Sequence, residues 1–339
     1  MKKIINKSLL LIIILLIVLI ALLSTKGIET NKFNKFIIDK TSQKKNIKVD
    51  LDTIKFKINL KQLDLFIETR NPKIIYKNIL VPVQNIKAYI DFNSLLKSDP
   101  KIKKINIILE ELDIAQLNEL SKLIKPSNFK SLINNKIKKG KLASEIEIFL
   151  TERGVFKDFI AKGTVKDFKV ELFNGLNFSK ASFSFFGDKS DILIKNIFGD
   201  LEDVKISEGD VKLNLDKGIK LSSNFNSKLN FNELILNKYS KLLNNYKFIN
   251  YIKSLKADFN NNFSIDLDST YKINDFSYNI SGAIDKGKVE FSKPIKNKIL
   301  VGEIKQVYFS DLQITTNFKP KKINFLGQGK YSFNNSDFF

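Results

Sequence analysis

The stretch from Ile219 to Phe231 alternates strictly between two kinds of residue. Its odd positions are apolar or small, and its even positions are Lys, Ser or Asn. This period of two predicts a β-strand with one apolar face and one polar face. A strand over these positions would rise about 43 Å, whereas strands in globular proteins usually have about 5–6 residues. The apolar side chains of so long a strand must be shielded from water by other apolar groups.

The region 138–339 continues this pattern in further strand-like segments separated by turn signals. Turns are predicted at Glu152–Gly154, Asn174–Gly175, Gly187–Asp188 and Gly199–Asp200. Such a series predicts an antiparallel meander. Because the alternation is one-sided, one face of the sheet must be buried. Two arrangements remain open: the sheet folds over on itself as a sandwich, or it curls into a trough whose interior takes apolar ligands.

Two regions change from the strand period to a helical period. In residues 114–137 apolar side chains follow helical spacing until Pro126, after which a second short helix is predicted. Residues 232–254 carry one apolar stripe that runs from Ile235 to Ile252. Residues 29–45 predict a further short helix. For 114–137 and 232–254 we expect helices packed on the sheet, and a lid over an apolar groove is the alternative.

The N-terminus has the features of a membrane anchor. Lys2, Lys3 and Lys7 precede an unbroken apolar run, in which Leu9, Leu16 and Leu23 mark the start, middle and end. A helix of about 15 residues covers about 22 Å, and flanking polar residues extend it toward the roughly 30 Å of a bilayer core. A signal peptide is the competing interpretation, but no small-x-small cleavage site follows the run. We expect an uncleaved anchor with its basic N-terminus inside.

Composition removes several classes of chemistry. The chain has no Cys and no His, so thiolate or imidazole ligands and nucleophile–imidazole catalysis are impossible. The adjacent carboxylates Glu110 and Glu111 are interpreted as a solvated strand end. The net charge of +21 comes almost wholly from lysines spread along the chain, without a nucleic-acid-binding motif. We expect no enzyme activity, no metal, no cofactor and no nucleic-acid partner, and at most weak attraction to anionic lipid headgroups.

Phrases after the anchor resemble the start of the AsmA-like superfamily, whose relatives include AsmA, TamB and YhdP. These phrases are an alternating strand, "VDLDTIKFKINL", then "IKAYIDFNSLL" and "IKKINI". The later stretch from "AKGTVKDFKVELFNG" to "KLNLDKGIKLSSNF" is most similar to the YhdP-type internal region. The resemblance covers most of the chain as pattern and short phrases.

The resemblance implies a mainly β protein anchored in the inner membrane of a bacterial envelope. After the transmembrane helix, an elongated antiparallel sheet would curl into an apolar groove, a β-taco-like fold with two short helical regions. The implied organisation is an anchor at 1–27, N-terminal strands and helices at 28–137, and a repetitive groove region at 138–339 with a helical insert at 232–254. Since the alternating strand pattern is still present where the chain ends, we expect the groove region to be incomplete at its C-terminus.

The resemblance also implies a function without catalysis. Such a protein binds phospholipid acyl chains in its groove, helps move phospholipids between inner and outer membranes, and supports outer-membrane biogenesis. The bulk of the chain would lie in the periplasm, with other envelope proteins as possible partners. The alternative is a membrane-tethered β scaffold of an envelope assembly. The candidate groove residues are Val211, Leu213, Leu215, Ile219, Leu221, Phe225, Leu229 and Phe231.

Overall fold

The computed structural model describes residues 2–30, 34, 47–51, 53–61, 64–91, 94, 101–123, 135–172, 175–216, 218–242, 250–268, 272–296, 302–334 and 336–339. The chain divides into two compact units. The first unit comprises Met1–Lys130 and Leu142–Gly163, and the second comprises Ser131–Lys141 and Thr164–Phe339. Strands dominate both units, so the predicted mainly β class is confirmed. The predicted domain boundaries stay a prediction.

Helix α1 (Lys2–Thr25) contains the predicted anchor. Its segment Lys7–Thr25 has a mean hydropathy of 3.1 over 19 residues, which is long and apolar enough to cross a membrane. Leu9 and Leu16 are 58% and 53% exposed, and Leu23 is half-buried. The structure is consistent with a single-pass anchor. The helix ends at Thr25, and two residues later a φ of +76° at Gly27 lets its backbone N–H donate back to the Leu22 carbonyl.

The first unit is built on an antiparallel sheet that begins directly after α1. Its strands pair in the order β1–β3–β4–β6–β7–β9, and β5 pairs with both β2 and β6. The elements are β1 (Ile28–Thr30), β2 (Ile47–Asp50), β3 (Ile54–Asn59), β4 (Asp64–Arg70), β5 (Lys73–Tyr76), β6 (Ile79–Ile90), β7 (Ile102–Leu109), β8 (Leu112–Asp113), α2 (Ile114–Ser121), β9 (Ile137–Leu150) and β10 (Phe156–Glu171). Strands β9 and β10 contribute residues to both units.

The second unit is an antiparallel meander in which each strand from β11 to β17 pairs with the next. Its elements are β11 (Asn177–Gly187), β12 (Asp191–Leu201), β13 (Val204–Asn214), β14 (Ile219–Phe231), α3 (Glu233–Leu242), β15 (Ile252–Leu267), β16 (Ile273–Ile295), β17 (Ile304–Lys319) and β18 (Lys322–Phe333). The predicted meander is confirmed, and β14 has the bounds that its alternation predicts.

The helical predictions are confirmed only in part. Helix α2 begins at Ile114, where the Asp113 carboxylate accepts a hydrogen bond from the Gln116 backbone and forms a capping box. Residues 124–134 and 243–249 lie outside the described residues. The helix prediction is wrong for Ile137 and Ile252, which begin strands β9 and β15. Of the predicted helix at 29–45, residues 29 and 30 lie in β1 and most of the rest is outside the described residues.

One predicted turn is wrong for a reason that the fold explains. Gly199 and Asp200 lie inside β12, and the chain turns after them at Glu202 and Asp203. A Cβ atom on Gly199 would be 2.8 Å from the Phe178 ring and 2.9 Å from Ala181 Cβ. The glycine therefore serves close packing between strands rather than a turn.

Bulges return the inward-facing positions of several strands of the second unit to the same face. Lys180, Asn196, Glu208 and Asp311 all have φ between 50° and 55°, and each lies at a register shift of its strand. A bulge adds one residue to a strand, so the alternation restarts one position later. On β13 the half-buried apolar positions are therefore even-numbered before the bulge, as at Ile206, and odd-numbered after it, as at Val211.

Candidate functional site

The structure brings the eight candidate groove residues together around two neighbouring strands. Val211 and Leu213 lie on β13, Leu215 follows that strand, and the other five lie on β14. Leu213 pairs directly with Leu221 across the two strands, so their side chains share one face. Within the set, exposure ranges from 9% at Phe231 to 38% at Leu215; the others are half-buried.

The two faces of β14 differ in exposure as its sequence predicts. Its odd positions are half-buried or buried, whereas Lys220, Ser222, Asn224, Lys228 and Asn230 are exposed. On the exposed side Lys220 pairs with Asp266 at 3.3 Å and Lys228 with Asp258 at 3.3 Å. These ion pairs are open to water, where such pairs contribute little to stability. The polar side is therefore a solvated face.

The apolar side chains continue beyond the candidate residues. One row of directly paired, half-buried residues crosses five strands from β12 to β16. We use the name apolar face for this row together with the eight candidate residues. The row consists of Ile192, Leu213, Leu221, Ile265 and Phe276. Since β12, β15 and β16 show the same alternation, the sequence contained the signal for Ile192, Ile265 and Phe276.

A polar cluster interrupts the apolar face. Asn261 is 3% exposed and donates to Ser227 Oγ at 2.8 Å, and Tyr278 Oη donates to Asn261 Oδ1 at 2.8 Å. The Tyr278 ring lies between Phe263 and Phe318, with centroid distances of 6.1 Å and 6.0 Å. Burial raises the pKa of the Tyr278 phenol. Sequence reasoning missed this cluster, although Asn261 occupies an inward position in the alternation of β15.

Helix α3 covers one end of the apolar face. Leu236 is 5% exposed, and the Tyr239 ring stacks on Phe231 with centroids 5.0 Å apart. The Tyr239 hydroxyl also lies 3.4 Å from the Leu201 carbonyl oxygen. Lys238 Nζ lies 2.6 Å from Glu202 Oε2, and this contact lowers the pKa of Glu202 and raises that of Lys238. The helix is therefore fixed both to the end of β14 and to the turn after β12.

The first unit contains a separate cluster of charged and amide side chains on its sheet. Glu68 is 5% exposed, lies 2.7 Å from Lys57 Nζ and accepts a hydrogen bond from Asn85 at 2.9 Å. Burial raises the pKa of Glu68, but the contacts with Lys57 and Asn85 outweigh it and leave the pKa below its usual range. A carboxylate that stays ionised at neutral pH and is already paired is suited to holding strands together, not to transferring protons.

Other candidate chemistry is sparse in the described part of the chain. Glu110 and Glu111 are both exposed between β7 and β8, as expected for a solvated strand end. Within the described ranges, no three Asp or Glu side chains lie close enough together to hold a metal ion. Comparisons with protein-family models, curated proteins and solved structures find no match.

Proposed function

We propose that this chain is a membrane-anchored, non-enzymatic envelope protein that binds phospholipid acyl chains on the apolar face of its second unit. It would help to move phospholipids between the inner and outer membranes and so support outer-membrane biogenesis. The observation that carries the proposal is the row of half-buried apolar side chains from Ile192 to Phe276 on a chain that begins with an apolar helix. The resemblance to AsmA-like proteins supports the same function.

The energetics of the apolar face fit an acyl chain. Each methylene moved from water to an apolar surface contributes about 0.8 kcal/mol. The half-buried side chains of Leu213, Leu221 and Ile265 still expose part of their surface, so a bound chain would remove further apolar area from water. This contribution needs no directional contact, and an acyl chain can therefore occupy different positions along the face. Lysines of the chain would favour anionic headgroups at its border.

The proposed location follows from α1. A basic N-terminus on the cytoplasmic side and one span of the inner membrane would place both units in the periplasm. In that compartment the apolar face would lie between the two membranes that exchange phospholipid. A single-pass inner-membrane protein with a periplasmic body is therefore the arrangement that we propose, with other envelope proteins as possible partners.

A non-catalytic scaffold is the second candidate function. The polar cluster of Ser227, Asn261 and Tyr278 favours it, because hydrogen bonds between buried side chains are a feature of packed cores. On this alternative the apolar face is a structural core that another part of an envelope assembly covers.

Lipid content distinguishes the two candidates. The full chain is extracted in a mild detergent, purified, and its bound phospholipid measured by mass spectrometry after exchange into a lipid-free detergent. A fluorescent fatty acid then reports uptake. Bound lipid and saturable uptake without hydrolysis support the proposed function. A protein that is folded by circular dichroism, carries no lipid and takes up no fatty acid favours the scaffold.

A further inference from the structure

The two ends of the sheet in the first unit expose different amounts of apolar surface. Among the described residues of this unit outside α1, six large apolar side chains are at least 40% exposed. One of them, Leu80, lies near the turn between β5 and β6. The other five lie at the opposite end of the sheet, and we call them the rim: Ile28, Leu60, Ile102, Val155 and Phe156. Exposed apolar side chains that gather in one place indicate an interaction site.

The strand registers place the rim at the end of the sheet where the chain leaves α1. Ile28 begins β1 directly after the helix. From Ile28 one row of directly paired residues crosses the sheet through Phe56, Ile67, Ala88, Ile105 and Ile148. On the α1 side of this row, β3 ends before Leu60 and β7 begins at Ile102. On the same side β9 ends before the turn that leads to Val155 and Phe156.

The connection between α1 and the sheet is short. Lys26 and Gly27 link the helix to β1, and because each extended residue spans about 3.5 Å, they reach about 7 Å at most. Both backbone N–H groups donate to the Leu22 carbonyl, at 3.1 Å and 2.9 Å, which shortens the connection further. With α1 across a bilayer, this end of the sheet is therefore held at the membrane surface. Any other partner of the rim would have to enter the narrow space between the sheet and the bilayer.

We propose that the rim of the first unit rests on the bilayer that α1 spans, with the side chains of Val155 and Phe156 inserted into the interface. The rim extends over six paired strands from β1 to β9, a width of about 24 Å at about 4.8 Å per strand. The unit is then supported along this whole end and not by one helix alone. The inference rests on α1 as the membrane anchor and is independent of lipid binding by the apolar face.

The charges at this end complement anionic headgroups. Four cationic side chains are exposed there: Lys26, Lys61, Arg153 and Lys157. Glu152 in the turn between β9 and β10 is also exposed, and Glu29 on β1 forms an ion pair with Lys55. Arg153 and Lys157 flank the two apolar residues of the tip, and apolar side chains between cationic ones are typical of segments that bind at a membrane interface. The cations would contact lipid phosphates while the apolar side chains enter the interface.

Tryptophan fluorescence tests the contact, because the chain has no native Trp and one introduced Trp reports only its own surroundings. The full chain is placed in nanodiscs of phosphatidylcholine and phosphatidylglycerol, with or without acyl chains brominated close to the headgroup. Phe156→Trp is expected to lose most of its emission to the brominated lipid. Leu80→Trp, at a position 60% exposed at the other end of the same sheet, is the matched control. It should keep its emission with brominated lipid and lose it to iodide in the water.

A second set of variants tests the charges and the anchor. Adding Arg153→Glu and Lys157→Glu to Phe156→Trp should weaken the quenching by brominated lipid, because the tip then repels anionic headgroups. Leu16→Trp, in the middle of α1, should be quenched by acyl chains brominated near the bilayer centre. Circular dichroism of each variant checks that the fold is retained, and all substituted side chains are exposed.

The outcomes separate the rim contact from the anchor. Quenching at residues 16 and 156 with none at residue 80 supports the proposal. Quenching at residue 16 but not at residue 156 overturns it and leaves the anchor intact. Equal quenching at residues 80 and 156 also overturns it, because the contact is then not confined to one end of the sheet. The absence of quenching at residue 16 would overturn the anchor and the rim contact together.

Discussion

The ring of Tyr239 on α3 stacks on the ring of Phe231 at the end of β14, with centroids 5.0 Å apart and an angle of 25° between the planes. This contact joins the helix to the last inward residue of the strand that defines the apolar face. The same tyrosine reaches the Leu201 carbonyl with its hydroxyl. One side chain thus connects α3 to β14 and to β12.

Removing the Tyr239 ring should loosen α3. Tyr239→Ala removes the stacking partner of Phe231 and is expected to lower the free energy of unfolding by about 2–4 kcal/mol, within the range for large-to-small core substitutions. Tyr239→Phe keeps the ring and loses only the long hydroxyl contacts, so about 1 kcal/mol or less is expected. Urea denaturation, monitored by circular dichroism, measures the free energy of unfolding of both variants. Leu234→Ala, at a position 80% exposed on the same helix, is the matched control and should change little.

The polar cluster should behave as one coupled network. Asn261→Ala leaves the Tyr278 hydroxyl and Ser227 without their shared partner and is expected to cost about 1–3 kcal/mol. In an Asn261→Ala background, Tyr278→Phe should cost less than it does alone, because the hydroxyl has already lost its acceptor. A double-mutant cycle by urea denaturation gives the coupling energy. A coupling energy of zero would show that the hydrogen bond between the two side chains does not contribute.

Acid should weaken the attachment of α3 through Glu202. The pKa of Glu202 in the folded chain is lowered, first by the hydrogen bond from Lys238. A carboxyl with a lowered folded pKa stabilises the fold above its unfolded pKa of about 4.3, and this contribution is lost as pH falls through the folded pKa. Melting temperatures should therefore be lower for Glu202→Gln than for the parent at pH 6, and the difference should shrink as pH falls below about 4.3 and vanish once Glu202 is protonated in the folded chain as well. A difference that is independent of pH would contradict the ion pair.

Gly199 should tolerate no side chain unless its neighbour shrinks. The Cβ of Gly199→Ala would lie 2.8 Å from the Phe178 ring, and overpacking of this kind costs about 1–3 kcal/mol. Combining it with Phe178→Leu should cost less than the sum of the two single changes, because the shorter side chain leaves room for the methyl group. Thermal unfolding of the four proteins measures this coupling, and simple additivity would contradict the close packing.

The strands could be predicted from sequence where one period runs without interruption. Ile219 to Phe231 is the clearest case, since β14 has no bulge and its register with β15 is continuous. The bulges at Lys180 and Glu208 could not be predicted, because these residue types carry no local preference for positive φ. The sequence predicts a turn at Gly199 because glycine is common in turns, but glycine also serves close packing, and only the position of Phe178 decides between the two.

The sequence predicts which face of β14 carries the candidate residues, but not which residues of neighbouring elements lie on the same face. The side of β14 on which Leu221 and Phe225 lie follows from alternation alone. That Asn261 lies on the same side depends on the pairing of β14 with β15, which sequence does not specify. The contact of Tyr239 with Phe231 likewise depends on where α3 packs. An apolar stripe predicts that a helix packs against something, but not which residues it contacts.

The most direct test of the central claim is the amount of phospholipid bound by three lysine variants of β14. Leu221 and Phe225 are half-buried on the apolar face, and Asn224 is exposed on the polar face. On a face open to lipid, an introduced lysine extends its charge to water along its own stem, so the fold survives. In a filled core it buries an unpaired charge and unfolds the unit.

The account predicts that Leu221→Lys and Phe225→Lys keep a melting temperature close to that of the parent and lose most of the bound phospholipid measured by mass spectrometry. Asn224→Lys should retain both. If Leu221→Lys and Phe225→Lys abolish folding, or if they fold and bind as much phospholipid as Asn224→Lys, the apolar face is not a lipid-binding surface.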